Sequence, residues 1–96
     1  MRVKRPMKKV KLLGKSITSL DEFYGEIAKK LRFPDSFGRN LDALWDVLTT
    51  DVQGPLELVW EDSEASKKSM GKDFERVAAL LKEVEKERDD FKVTFR

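Results

Sequence analysis

A chain of 96 residues with 40% apolar side chains makes one domain, which can bury about 60 to 70% of the surface its unfolded form exposes. It contains no cysteine and no histidine, which excludes disulfides, thiolate metal sites, Ser-His or Cys-His nucleophiles and the usual titration near neutral pH. Its net charge of +2 is unevenly laid out: Arg2, Lys4, Arg5, Lys8, Lys9 and Lys11 leave 14 basic against 18 acidic residues in the rest of the chain.

Residues 1–7 have no periodicity and include Pro6, so they read as a basic N-terminal extension to a single domain over 8–96. Such an arm could touch nucleic acid or a membrane surface. No aromatic residue interleaves with its cations, so a solvated tail is the simpler reading and direct nucleic-acid binding is not expected. The charge resembles the start of an export signal, but Lys8, Lys9 and Lys11 stand where an apolar stretch should follow. The longest purely apolar run, Val77 to Leu81, is far too short to cross a bilayer. The expectation is a cytoplasmic protein with no membrane partner.

Val10 and Leu12 alternate with lysines over Lys8 to Leu13, which predicts a strand ended by Gly14. Ser19 and Glu22 form a capping-box pair at the head of a helix marked by Leu20, Phe23, Tyr24, Ile27, Ala28 and Leu31. Phe33-Pro34 ends it, because the residue before proline is pushed out of helical geometry. A loop over 34–39 then leads to Asn40, a residue type that caps helix starts.

The next helix, predicted to run to about Asp51 or Val52, places Leu41, Leu44, Trp45, Leu48 and Val52 on one side. Asp42, Asp46, Thr49 and Thr50 lie on another. Trp45 falls on the border, where part of its ring packs inward and an edge faces out. Gly54-Pro55 punctuates the chain before Leu56 to Trp60, a second strand. The polar stretch 61–70 is predicted as a short helix. After Gly71, Phe74, Val77, Ala78, Leu81 and Val84 mark a strong amphipathic helix to about Lys86, with Glu83 exposed. Phe91, Val93 and Phe95 form a third strand.

Connections of this length are too long for hairpins. The strands should therefore be parallel, joined by right-handed crossovers. The predicted fold is α/β, a three-stranded parallel sheet packed by about four helices.

Catalysis finds no support. Asp42 and Asp46 on one exposed helical face should both stay ionised, with nothing to separate them into an acid and a base. The five glycines are isolated, so there is no phosphate-cradling loop, and no metal-ligand spacing occurs. The reading is a non-enzyme without metal or cofactor. Binding remains. From Asn40 to Ser66 there is no Lys or Arg but seven acids, a field that attracts a basic partner. On spacing alone the simpler reading is a solvated polar face. The other is that aspartates on a rigid helix imitate RNA phosphates, since both offer oxygen acceptors to Arg and Lys donors.

Asn40-Leu41-Asp42-Ala43-Leu44-Trp45-Asp46, with Pro34 and Gly38 before it and Pro55-Leu56 after it, resembles the barstar family, intracellular inhibitors of the secreted ribonuclease barnase. The likeness runs without gaps from about Lys8 to Phe95 and includes Gly14, Leu58, Trp60, Ser66-Lys67, Glu83 and Val93. It implies three parallel strands with four helices, and a central helix and preceding loop that plug a ribonuclease active site in a 1:1 complex. Asp46 matches the residue that takes a phosphate position among the enzyme's basic groups. Asp42 matches a second acidic contact and Glu83 a third, while Gly38, Asn40, Trp45 and Thr49 match further interface positions.

Four departures bear on the target. Ser36 replaces a tyrosine, Asp51 a tryptophan, Thr50 a glycine and Arg39 an acid. Phe37 is then expected to supply the aromatic contact that Ser36 lacks, and Arg39 to set a repelling cation beside the docking face. The target would be a small basic ribonuclease or a toxin nuclease, with this chain as the immunity protein. The alternatives are a nucleic-acid-binding module and a protein-interaction module on the same fold.

Overall fold

The computed structural model describes residues 7–96; the predicted basic arm lies, up to residue 6, outside the described residues. The elements in order are β1 (Lys8–Leu13), a single 3₁₀ turn (Gly14–Ser16), α1 (Leu20–Leu31), α2 (Leu41–Thr50), β2 (Leu56–Glu61), α3 (Ser63–Met70), α4 (Lys72–Glu87) and β3 (Phe91–Phe95). The three strands form one parallel sheet, as predicted, and their order in it is β1-β2-β3. Two right-handed crossovers stepping the same way across a sheet put both helix pairs on one face.

The register shows which face that is. Val10 pairs with Leu58 and Leu58 with Val93, and Leu12, Trp60 and Phe95 make the next row. These side chains enter or pack on the core. The alternate rows, Lys9-Glu57-Lys92 and Lys11-Val59-Thr94, lie on the far face. There the lysines are exposed while Glu57 and Val59 on the central strand are buried. Thr94 Oγ1 donates to Glu57 Oε2 at 2.7 Å, and chiefly this bond, with help from Lys9, Lys92 and Arg96, holds the Glu57 carboxyl below the usual glutamate range.

The core is organised on Trp60, fully buried and stacked on Phe23 at 5.1 Å, with Phe74 edge-on at 5.0 Å. Its indole is satisfied by a buried chain: Trp60 Nε1 donates to Ser66 Oγ (3.0 Å), and Ser66 Oγ donates to Gly14 O (2.8 Å). Gly14 is needed for that approach. A Cβ there would lie 2.1 Å from the carbonyl oxygen of Asp62.

Local signals set the helix starts. Ser19 Oγ accepts from Glu22 N at 3.1 Å, as the capping pair predicts. The return bond is displaced by one residue: the Glu22 carboxylate accepts from the hydroxyl and N–H of Thr18 rather than from Ser19 N, and these bonds lower its pKa. α1 stops at Arg32, which takes left-handed geometry (φ 55°) just ahead of Phe33-Pro34. Helix α2 ends slightly earlier than predicted: Asp51 N still makes the regular bond to Val47 O (2.9 Å), but Val52 N returns to the same oxygen (3.1 Å) instead of Leu48 O. Among the described residues no helix is long and apolar enough to cross a membrane.

Candidate partner-binding site

Helix α2 presents its polar face because its start is fixed from within the loop before it. Asn40, extended at φ −146°, accepts Ala43 N on Oδ1 (2.8 Å) and donates from Nδ2 to Gly38 O (3.2 Å). The cap satisfies one N–H left unpaired by the first turn and closes the loop onto the helix. Asp42 follows in the first turn, where a carboxylate favours the positive end of the helix dipole. Asp46 stands one turn further on. Both are exposed, and among the described residues neither carboxylate accepts a hydrogen bond or enters an ion pair.

The rest of the face is tied into the scaffold. Trp45 is half-buried and packs on the core, in keeping with its border position. Thr49 Oγ1 donates to Trp45 O (2.8 Å) and Thr50 Oγ1 to Asp46 O (2.6 Å), so both hydroxyl protons are engaged by the helix backbone. Phe37 is half-buried too. Its ring meets Phe33 at 4.9 Å and Tyr24 at 5.8 Å, both edge-on, and Tyr24 itself is buried. Tyr24 therefore has no ring surface to offer, whereas Phe37 does.

Loop and helix enclose a shallow depression of about 120 Å³ lined by Phe37, Gly38, Asp46 and Asp51, with Pro34, Ser36, Ala43 and Val47. It brings Phe37, Gly38 and Asp46 together, with Asn40, Asp42, Trp45 and Thr49 on the same helix and its cap. Glu83 is not part of it. That side chain is exposed on α4, which packs against α2, and its carboxylate lies 3.5 Å from Lys86 Nζ. A larger cleft, about 560 Å³, opens on the other side of Asp51 and is lined by Lys8, Lys30 and Arg32, of the opposite charge.

Asp51 lines the depression because it follows Val47 by one turn, its N–H still making the ordinary helical bond to Val47 O. One feature was not legible in the sequence. Arg39 does not stand as a loose cation at the docking face. Its backbone is left-handed (φ 52°) and its guanidinium reaches α1, donating to Asp21 Oδ1 (2.7 Å) and Asp21 O (2.8 Å). The expected repulsion is thereby partly neutralised inside the molecule. No cluster of three or more acids that would hold a metal occurs among the described residues.

A one-sided parallel sheet whose second helix carries a capped, acidic, lysine-free face defines a small domain of the α/β class with a local acidic surface. Comparison places it more closely. The family described as Barstar (barnase inhibitor) matches residues 7–96, and the chain belongs to that family. The chain is also similar to "Putative ribonuclease inhibitor YrdF" of Bacillus subtilis (strain 168), 38% identical over 88 residues, which cover 91% of this chain and 97% of that one.

Proposed function

We propose that the chain inhibits a small basic ribonuclease, or a nuclease toxin with such a site, by seating α2 and its capping loop in the active site as a 1:1 complex in the cytoplasm. Asp46 stands in for an RNA phosphate among the enzyme's cations, Asp42 meets a second basic group, and Glu83 makes a separate contact from α4. Gly38, Asn40, Trp45, Thr49 and Phe37 shape the surface around them. The observation that carries this reading is the pair of exposed carboxylates, without a partner among the described residues, one turn apart on a helix pinned by Asn40. Acceptors carried on a rigid element meet Arg and Lys donors with their backbone already ordered, leaving only two short side chains to be fixed on binding. Membership of an inhibitor family and the absence of any Lys or Arg from Asn40 to Ser66 support the same reading.

The test is titration of a panel of small microbial ribonucleases, barnase among them, with the wild-type chain and with Asp46→Ala. Stoichiometric inhibition that the substitution abolishes is the expected result. A panel left fully active would remove the inhibitory reading and leave a family fold serving another partner.

A further inference from the structure

We propose that Arg88 is a positioning residue of this docking surface, fixing the C-terminal end of α2, and with it Asp46, against the helix that carries Glu83; the assignment rests on the inhibitory reading above. Helix α2 has no basic residue in its last turn. The carbonyls of that turn need donors from elsewhere, and the negative end of the helix dipole favours a cation. In a regular helix Leu48 O would accept from Val52 N, but that N–H turns to Val47 O instead. Arg88 fills the gap. Its Nη1 donates to Leu48 O at 2.7 Å and to Val52 O at 2.8 Å, across 40 and 36 residues of chain.

The other edge of the guanidinium is held just as firmly. Nε and Nη2 donate to the two oxygens of Asp90 at 2.8 and 2.9 Å, a two-point fork that fixes the plane of the group. Asp90 has nowhere to retreat: Gly54 presses on it so closely that a Cβ there would lie 2.1 Å from Oδ2, while Asp90 O accepts Leu56 N at 2.8 Å. The Arg88 side chain is only 14% exposed, and its own N–H closes α4 on Val84 O at 3.0 Å. One side chain therefore joins the end of α4 to the end of α2, and Asp90, which it grips, is bonded through its backbone to the first residue of β2. Asp46 lies two residues before one end of this clamp and Glu83 five residues before the other, so the relative setting of the two acids passes through it.

Arg88→Lys keeps the charge but loses the fork, and Arg88→Ala loses both. The first measurement needs no partner. Hydrogen exchange of α2 amides in the last turn should rise about tenfold or more in Arg88→Ala, the scale of a lost charge-assisted bond, with α1 unchanged and Arg88→Lys intermediate. Unchanged exchange there, or an equal rise throughout, would overturn the clamp. The second uses whichever ribonuclease of the panel the wild type inhibits. Glu83→Ala should weaken inhibition by a smaller factor in the Arg88→Ala background than in wild type, whereas Asn40→Ala, at the far end of α2, should have the same effect in both. Equal factors for Glu83 in the two backgrounds would reduce Arg88 to a stability element. If no ribonuclease is inhibited, the functional reading fails while the exchange result still decides the clamp.

Discussion

The buried polar centre at Trp60 and the exposed acids of α2 treat their polar atoms in opposite ways. In the first, Trp60 Nε1, Ser66 Oγ and Gly14 O are linked, and no buried side-chain nitrogen or oxygen among the described residues lacks a partner. In the second, Asp42 and Asp46 sit on a helix whose start is capped by Asn40, yet among the described residues their own carboxylates meet no partner. A buried polar group left unpaired costs stability, so the first centre must be complete in the free protein. Exposed carboxylates carry no such requirement and remain open to a partner. Changes to one centre should act on folding and changes to the other on binding.

The largest separation is expected at Asp46. Asp46→Ala should weaken the ribonuclease complex by about 2 to 5 kcal/mol, the range general to truncated charge pairs in buried interfaces, barnase–barstar itself among the cases behind it. Its thermal unfolding should match wild type, and Asp35→Ala, on the loop, should change affinity far less. Equal losses for the two aspartates in a binding titration would take Asp46 out of the centre of the interface.

The converse change is Ser66→Ala, which strands Trp60 Nε1 inside the core, leaves Gly14 O with Ile17 N (3.2 Å) as its remaining donor, and should cost about 1 to 3 kcal/mol in denaturant unfolding. Inhibition measured well below the melting temperature should be unaffected. A parallel loss of affinity would show that the two regions are coupled through the fold. Phe37→Ala blurs the division deliberately, because that ring both lines the depression and packs on Phe33 and Tyr24. Each aromatic pair is worth about 0.5 to 1.5 kcal/mol beyond area burial, so this variant should lose stability as well as affinity. An affinity loss with unchanged unfolding would make the ring a contact only.

The smallest effect belongs to the far face of the sheet. Thr94 holds the Glu57 carboxyl below its ordinary pKa, so the stabilisation is in place above the usual glutamate range and is lost as pH falls through the depressed value. Thr94→Val should therefore be less stable than wild type at neutral pH, with the difference shrinking in acid and inhibition unchanged. A deficit that persists undiminished in acid would assign the effect to packing instead of the carboxylate.

Much of the fold could be read from local pattern. Alternating apolar residues bounded by Gly14, Gly54-Pro55 and Gly71 marked the strands and breaks, and Ser19 and Asn40 announced helix starts that their side chains do cap. The acidic face of α2 was equally legible, since it follows from helical spacing alone. What escaped depends on position in the finished fold. Glu57 and Val59 alternate like half-exposed residues and are buried because β2 is the central strand, a fact of topology. Arg39 could not be assigned to Asp21, nor Arg88 to the carbonyls of α2, because those contacts cross 18 to 40 residues and rely on a left-handed residue in one case and an interrupted helix end in the other.

The one-sided arrangement of helices also makes the molecule easy to handle. Lys11 and Lys92 point from the face of the sheet opposite the helices, while α2 lies on the other layer, about 10 Å away at the usual spacing of packed layers. A fluorophore or a surface tether attached at either lysine would have the whole sheet between it and the acids. Complex formation could then be followed from the back of the protein, on immobilised or labelled chains, with α2 left as bare as it is in solution.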